Sequence, residues 1–408
     1  MLRRKFYAPV PPLQGLLEFG RIIKKNGLWK GARDMLRFII GKAGTGKTAA
    51  IYEELRQAVE RRESRRYLLV PEQYSHEAER ELCRICGDAL SLTAEVFSFT
   101  GLARRVGQEK GGLAAPLLDK GGRLLCMALA LDAVGARLQV YAAARHRAEL
   151  QTMLLRAVDE LKSACVSPAQ LAEAAERCPD GLGEKLQDLA LILEAYDAVV
   201  ANGHADPSDR LQLLAQQIDE GALGAEDRVY VDGFLDFTYQ ELAVLAAMLG
   251  RGVQLTVCLT LDDPHSEDEV FALSRAAFRR LYAAAKELGQ EITVEQPEAG
   301  RGKAAALGFF AEELFRYGQR PFEGDASCIR LGCAESISAE CEAATARILA
   351  LVRDGGCRWR DIAVAVRGFE DYQITLENVF RHYGIPLFVT RKNELLSKPL
   401  PALISLAY

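Results

Sequence analysis

The residues best able to do chemistry form one short glycine-rich stretch. It fits the phosphate-binding loop pattern G-x-x-x-x-G-K-[ST], and its residues are Gly41, Lys42, Ala43, Gly44, Thr45, Gly46, Lys47 and Thr48. In such a loop the glycines allow a tight turn and a close backbone approach. The lysine reaches the β and γ phosphates, and the hydroxyl ligates Mg²⁺. The pattern predicts that this stretch binds ATP and that Thr48 holds Mg²⁺; a glycine-rich turn with a chance Lys-Thr pair is the alternative.

The segments on either side of the loop favour nucleotide binding. A short apolar strand, 36–40, precedes it, and the apolar residues of 49–59 fall on one face of a helix that follows it. In a strand–loop–helix unit, free backbone N–H groups and the helix N-terminus surround a polyphosphate. Hydrolysis of the nucleotide is a separate question, because it needs further groups.

Asp232 is the candidate for the second half of the nucleotide site. It follows the apolar strand 229–231, and an Asp in that position holds Mg²⁺ directly or through water. A helix-capping or turn role is the alternative. ATPases of the helicase type next carry a Glu that activates the attacking water, but here the next residue is Gly233. We therefore assign Mg²⁺ to Thr48 and Asp232 and assign no catalytic residue.

A second group of residues is a candidate for contact with single-stranded DNA. Such contact needs stacking aromatic rings, basic side chains and hydroxyls along a groove. The candidates lie at the end of the strand 94–99 and at the start of the next helix: Ser98, Phe99, Thr100, Arg104 and Arg105. Two alternatives to DNA contact stay open. Strand alternation places one of Phe97 and Phe99 in the core, and Arg104 and Arg105 are also what a solvated helix face would carry.

Length and composition are those of a globular chain with a sizeable core. The 408 residues suggest two or three domains, and 49% of them are hydrophobic. The net charge of −5 gives no general attraction to nucleic acid, so DNA contacts must come from local patches. No apolar run approaches the ~20 residues that span a bilayer, so we expect no membrane partner. Ten cysteines without a secretory signal indicate reduced thiols and a cytoplasmic location.

Alternating strands and helices predict an α/β fold with a parallel sheet. We expect 35–106 and 226–327 to form one P-loop domain with a parallel sheet. Residues 107–225 show only helical patterning and are predicted to be a helical insertion into it. From 328 to 408 the alternation begins again, which predicts the start of a second domain.

The two ends of the chain differ from this pattern. Residues 1–34 contain eight Lys/Arg and two Asp/Glu, and we expect a disordered tail or a native start at Met35. In 328–408 the predicted elements are few: strands at 328–331, 361–366 and 385–389, and helices at 338–354 and 369–382. A stable parallel sheet usually needs more strands, so the chain is expected to be the N-terminal part of a longer protein.

Several motifs occur in the order found in one known family. They are the phosphate loop with its strand, Leu69-Val70-Pro71-Glu72-Gln73, Val96–Ala103, Val231-Asp232-Gly233-Phe234 with Phe237-Thr238, Asp361–Arg367, and Tyr383–Pro386. Together they resemble the AddB family, the helicase-like subunits of AddAB ATP-dependent helicase/nucleases. The resemblance covers residues 35–408, and the V-D-G-F…F-T segment is its most specific part. It implies that the P-loop domain is of the RecA-like, superfamily 1 helicase type and that 328–408 is the start of a second RecA-like domain.

The resemblance implies ATP and Mg²⁺ as cofactors, DNA as a ligand and an AddA-type helicase/nuclease subunit as the heterodimer partner. It implies work in double-strand-break repair by recombination. In the family, the exonuclease domain and a [4Fe-4S] cluster lie in the C-terminal part, so no residue of this chain is assigned to either.

The chain also departs from an active superfamily 1 motor. Besides the missing Glu at 233, the segment 260–264 lacks the G-D-x-x-Q that senses the γ-phosphate, and no N-Y-R-S occurs between 263 and 330. Loss of an arginine finger alone costs on the order of 10³-fold or more in rate. We therefore expect weak or no motor activity from this chain alone. A stand-alone P-loop ATPase or nucleotide kinase, and a structural module with a vestigial loop, are the alternatives.

Overall fold

The computed structural model describes residues 35–111, 115–178, 181–265, 268–297, 304–314, 320–389 and 399–407. The N-terminal extension 1–34, with its predicted disorder or alternative start, lies outside these residues. The chain divides into two compact units, one up to residue 302 and one from residue 303 onward.

The first unit is built on a six-stranded sheet in which all pairings are parallel. Its strands are β1 (Leu36–Gly41), β2 (Arg66–Leu69), β3 (Ala94–Phe97), β4 (Arg228–Val231), β5 (Gln254–Thr260) and β6 (Ile292–Glu295). Their order across the sheet is β3-β2-β4-β5-β1-β6. This arrangement confirms the predicted α/β class and is that of a RecA-like parallel-sheet domain. Strand β6 lies within the predicted P-loop range 226–327, although its four residues carry only a weak apolar pattern.

The sheet is buried on both faces, because successive side chains of a strand point to opposite sides. In β1, Phe38 and Ile40 enter one core while Ile39 enters the other. Helices cover the two faces and exclude water from these apolar side chains. Their bounds are α1 (Lys47–Glu60) and α2 (Ser75–Cys86) on the Ile39 side, and α3 (Phe99–Lys110), α8 (Arg210–Asp219), α9 (Tyr239–Gly250) and α10 (Ala272–Glu287) on the other.

The stretch predicted as a helical insertion has its own core. Its helices are α4 (Lys120–Val134), α5 (Ala148–Ser163), α6 (Pro168–Arg177) and α7 (Gly181–Val200). Tyr196 is fully buried at the centre of that core. Within this stretch the described residues contain one isolated β-bridge, between Leu117 and Ala205, and no strand. The last helix before the sheet resumes, α8, packs instead against α3 and α9.

The second unit contains α11 (Ala305–Glu313), α12 (Ile337–Arg353), α13 (Phe369–His382) and α14 (Pro399–Ala407). Helices α12 and α13 pack together around Cys341, Ile348 and Phe380. The predicted strands at 328–331, 361–366 and 385–389 are wrong, since none of them joins a ladder with described residues. A parallel strand requires a hydrogen-bonded neighbour, and an apolar pattern does not supply one. The assignment of 328–408 to a second RecA-like domain stays a prediction.

Candidate nucleotide site

The phosphate loop lies at the carboxyl edge of the sheet, between β1 and α1. Gly44 and Gly46 have φ of 78° and 89°, in the left-handed region that favours glycine. A Cβ on Gly41 would lie 2.5 Å from Oγ1 of Thr45, and that hydroxyl donates to the Lys42 carbonyl at 3.0 Å. Gly44 and Gly46 are therefore favoured by the backbone path that brings the loop to the start of α1, and Gly41 by its close contact with the Thr45 side chain.

The side chain of Lys47 is folded over this loop. It is 8% exposed, and its ammonium donates to the carbonyls of Gly41 at 2.7 Å and Lys42 at 2.9 Å. Burial of a charged group is unfavourable unless the group is hydrogen-bonded. The carbonyls of Gly41 and Lys42 supply these hydrogen bonds to the Lys47 ammonium. The position holds the ammonium above the loop whose N–H groups would cradle a phosphate.

Thr48 and Asp232 meet beside the loop, although 184 residues separate them in sequence. The Thr48 hydroxyl donates to Oδ2 of Asp232 at 2.6 Å. Asp232 follows β4, and the carboxyl ends of β4 and β1 face the same edge across the single strand β5. The topology thus brings together the two residues that the sequence assigned to Mg²⁺.

The pair fits a nucleotide-bound Mg²⁺ by its donor chemistry. A hydroxyl and a carboxylate are oxygen ligands, and Mg²⁺ is usually bound by one or two protein oxygens while phosphates and waters supply the rest. Over the described ranges, no group of three or more His, Cys, Asp and Glu could hold a metal ion. The arrangement suits a metal that arrives with phosphates better than one caged by protein.

Two other titratable groups near Asp232 stay protonated at neutral pH. Burial, together with the charge of Asp232, raises the pKa of Tyr52 to about 12. Burial, again with Asp232, also raises the pKa of the Cys258 thiol. Neither group can accept a proton at neutral pH as a phenolate or thiolate, so neither replaces the missing general base.

The backbone conformation at Gly233 disfavours a side chain at the position after Asp232, where helicase-type ATPases carry the general base. Gly233 has φ of 83°, and a Cβ there would lie 3.2 Å from Cδ of Pro71. A residue with a side chain is strained at such a φ, and the proline ring narrows the space further. The absence of a Glu is thus matched by a backbone conformation that disfavours any side chain at 233.

Sequence reasoning missed one charged contact at the loop. The Asp262 carboxylate lies 3.3 Å from the Lys42 ammonium, where Asp262 follows β5. The sequence feature that indicates this contact is the carboxylate of Asp262 just after a buried strand, because that strand, β5, is the neighbour of β1. To infer the contact with Lys42 from this position, one must also know that β5 lies beside β1, and the sequence alone does not show the order of the strands.

The DNA-contact candidates at the start of α3 divide between surface and core. Ser98 caps the helix, accepting from the Gly101 N–H at 3.1 Å, and its hydroxyl lies 2.9 Å from that of Thr100. The ring of Phe99 is 3% exposed and packs against Phe234 with centroids 5.5 Å apart. Phe99 is therefore a core residue, and its burial does not fit the predicted stacking on a base.

The two arginine candidates also differ. Arg104 is exposed and has no ion-pair partner in the described part of the chain. Arg105 pairs with Glu95 at 3.4 Å and with Glu109. Because Glu95 is the second residue of β3, Arg105 points away from the carboxyl end where Ser98 lies. The five candidates do not form one surface: Phe99 is buried, and Arg105, although solvent reaches it, is paired with Glu95 and Glu109. Ser98, Thr100 and Arg104 are the candidates that remain for DNA contact.

The fold and these motifs place the chain in the class of RecA-like parallel-sheet proteins. It belongs to the family described as "ADDB, N-terminal", whose model matches residues 38–308. The family resemblance seen in the sequence is thereby confirmed.

Relatives of the chain are named as a subunit of an ATP-dependent helicase/deoxyribonuclease. The one from Desulforudis audaxviator is 36% identical over 386 residues, which are 90% of this chain and 33% of the relative. The one from Moorella thermoacetica is 34% identical over 389 residues, covering 91% and 34%. The one from Geobacillus kaustophilus is 32% identical over 391 residues, covering 91% and 33%. The chain thus spans about a third of the length of these relatives.

No helix in the described part of the chain combines the length and the apolar character that crossing a bilayer would take.

Proposed function

We propose that this chain is the nucleotide-binding, helicase-like part of a subunit of an ATP-dependent DNA helicase/exonuclease. The complex would act in double-strand-break repair by recombination. The names of the relatives support this role, and the order of the motifs agrees with it. The chain would bind ATP–Mg²⁺, contact DNA and have weak or no motor activity of its own.

One observation carries the nucleotide site: the 2.6 Å contact between the Thr48 hydroxyl and the Asp232 carboxylate. Gly41–Thr48 would cradle the phosphates, with Lys47 on the β and γ groups. Thr48 and Asp232 would hold Mg²⁺, which supplies charge neutralisation on the phosphates when bound. The protein's contribution is a preformed loop and a paired hydroxyl and carboxylate at the edge of a buried sheet.

Weak turnover follows from the groups around this loop. Gly233 offers no carboxylate, and its φ of 83° disfavours one. Tyr52 and Cys258 are protonated at neutral pH, so neither of these neighbouring groups replaces the base. These features argue against a stand-alone ATPase or nucleotide kinase, whose turnover depends on such a group.

The remaining assignments follow from the family. DNA would run along the carboxyl edge of the sheet near Ser98, Thr100 and Arg104, and an AddA-type subunit would be the partner in a cytoplasmic heterodimer. The nuclease activity and the [4Fe-4S] cluster would belong to protein sequence outside this chain. We expect the chain alone to be inactive as a helicase or nuclease.

Calorimetric titration with ATP and Mg²⁺ tests the nucleotide site. Lys47→Ala removes a charged hydrogen-bond donor to phosphate, so the ATP affinity should fall by about 10- to 100-fold. Lys120→Ala is the matched control, since Lys120 is an exposed lysine at the start of α4. It should leave the affinity unchanged. No ATP binding by the unmodified chain would instead favour a structural module with a vestigial loop.

A further inference from the structure

Asp262 lies beside the phosphate loop because of strand register. Gly41, the first loop residue, pairs in register with Thr260 at the end of β5. The next residue, Leu261, donates its N–H to the Gly41 carbonyl at 3.3 Å. Asp262 follows, and its Oδ2 lies 3.3 Å from Nζ of Lys42. The contact between the loop and the end of β5 is therefore built from both main chain and side chains.

The Lys42–Asp262 pair is held in place and only partly solvated. The side chain of Lys42 is 19% exposed and that of Asp262 is 40% exposed. The Asp262 carbonyl accepts from Nε2 of Gln296 at 2.9 Å, which anchors this residue to the segment after β6. Charges at a surface of this kind still interact over several ångströms before salt screens them.

We propose that Asp262 is a specificity-determining residue of the nucleotide site, which lowers the affinity for ATP more than that for ADP. The inference rests on the proposed function, since it requires that Gly41–Thr48 bind nucleotide. Asp262 acts in two ways: its charge neutralises Lys42, which would otherwise attract phosphate, and it repels the phosphates directly. Both effects grow with the negative charge of the ligand. ATP carries one phosphate more than ADP and is therefore disfavoured more.

The first test compares ATP and ADP affinities by calorimetry in the unmodified chain and in Asp262→Asn. The Asn keeps the shape and loses the charge, so ATP should bind about five-fold more tightly and ADP about two-fold more tightly. Asp263→Asn is the matched control; Asp263 is the neighbouring carboxylate and accepts from the His265 N–H at 2.8 Å. It should change either affinity by less than about two-fold. Equal thermal midpoints of the variants will show that folding is unaffected.

A double-mutant cycle tests whether the effect passes through Lys42. Lys42→Gln should weaken ATP binding, because it leaves the Asp262 carboxylate unneutralised. Adding Asp262→Asn to that variant should raise ATP affinity by clearly less than the gain of about five-fold expected in the unmodified chain, because without the Lys42 ammonium only the direct repulsion is removed. Additive effects of the two substitutions would overturn the role of the pair.

The outcomes separate this inference from the proposed function. If ATP binds and Lys47→Ala removes binding, but Asp262→Asn leaves the ATP-to-ADP affinity ratio unchanged, the inference is overturned and the nucleotide site stands. If neither the unmodified chain nor Asp262→Asn binds ATP, both are overturned. Measurable ATP binding only in Asp262→Asn would support the inference in its strongest form.

Discussion

Gly233 and Pro71 lie so close that a Cβ at position 233 would be 3.2 Å from Cδ of the proline. Together with the left-handed φ of 83°, this contact reserves for glycine the position where helicase-type ATPases carry their catalytic Glu. The weak hydrolysis that we propose would therefore be built into the chain path after β4. It is not the loss of one side chain that could simply be restored.

The first prediction is that Gly233→Glu fails to create ATP turnover. The side chain would enter a strained conformation, and we expect a loss of about 1–3 kcal/mol in the free energy of unfolding. Phosphate release and denaturant unfolding measure the two effects. Gly250→Ala is the control, because a Cβ at Gly250 meets nothing within 4 Å; it should not destabilise the protein. Steady turnover in Gly233→Glu would show that the backbone does not limit hydrolysis.

The second prediction concerns the Thr48–Asp232 contact. Thr48→Val keeps the shape of the side chain and removes the hydroxyl that would ligate Mg²⁺. ATP affinity should therefore fall by about ten-fold when Mg²⁺ is present, and change little when the metal is removed with EDTA. Titrations under both conditions measure this difference. An equal loss with and without Mg²⁺ would mean that Thr48 acts on the loop rather than on the metal.

The third prediction concerns a buried polar group in the helical insertion. Asp206 is fully buried; it accepts from Tyr196 at 2.8 Å and pairs with Arg123 at 3.0 Å. Lys162 lies 3.6 Å away, so three helices, α4, α5 and α7, meet at one carboxylate. Asp206→Asn removes the buried charge that these donors share, although Arg123 keeps Asp159 and Lys162 keeps Asp197 and Asp209 as partners. It should lower the free energy of unfolding by about 2 kcal/mol, the range for hydrogen bonds to a charged group.

Denaturant unfolding measures the effect of Asp206→Asn. The matched control is Asp219→Asn at the exposed end of α8, which should change the stability by less than about 0.5 kcal/mol. Equal stability of the two variants would contradict a structural role for the buried carboxylate.

The fourth prediction separates the two arginines of α3. Arg104 is exposed, whereas Arg105 is held by Glu95 and Glu109. Arg104→Ala should weaken binding to a tailed duplex and reduce the slope of log affinity against log salt by about one. Arg105→Ala should leave both unchanged. Fluorescence anisotropy over a salt series measures them, and a larger effect of Arg105→Ala would move the DNA contact to the other edge of the sheet.

The nucleotide site could be predicted because its information is local. The spacing of Gly41, Gly46 and Lys47 after an apolar strand is sufficient to propose a phosphate loop. Asp232 was identified in the same way, from the strand that precedes it. Their mutual geometry depends on the order of β1, β5 and β4, which only the folded sheet supplies.

Other features depended on distant partners and were missed or mispredicted. Strand alternation could not choose between Phe97 and Phe99; the choice was made by Phe234 and Phe237, which form an aromatic cluster with Phe99. Strand β6 is a four-residue edge strand with only a weak apolar pattern. The three strands expected after residue 327 have apolar residues but no hydrogen-bonding neighbour among the described residues, and Leu331 and Phe388 are exposed there.

The most direct test of the central claim is the chemical state of nucleotide bound to the 408-residue chain. Labelled ATP and Mg²⁺ are mixed with an excess of protein, and the protein-bound nucleotide is isolated and separated after increasing times. We predict that ATP is retained, that it stays intact over many minutes, and that Lys47→Ala retains little. Conversion of bound ATP to ADP within seconds, abolished in Lys47→Ala, would contradict this claim.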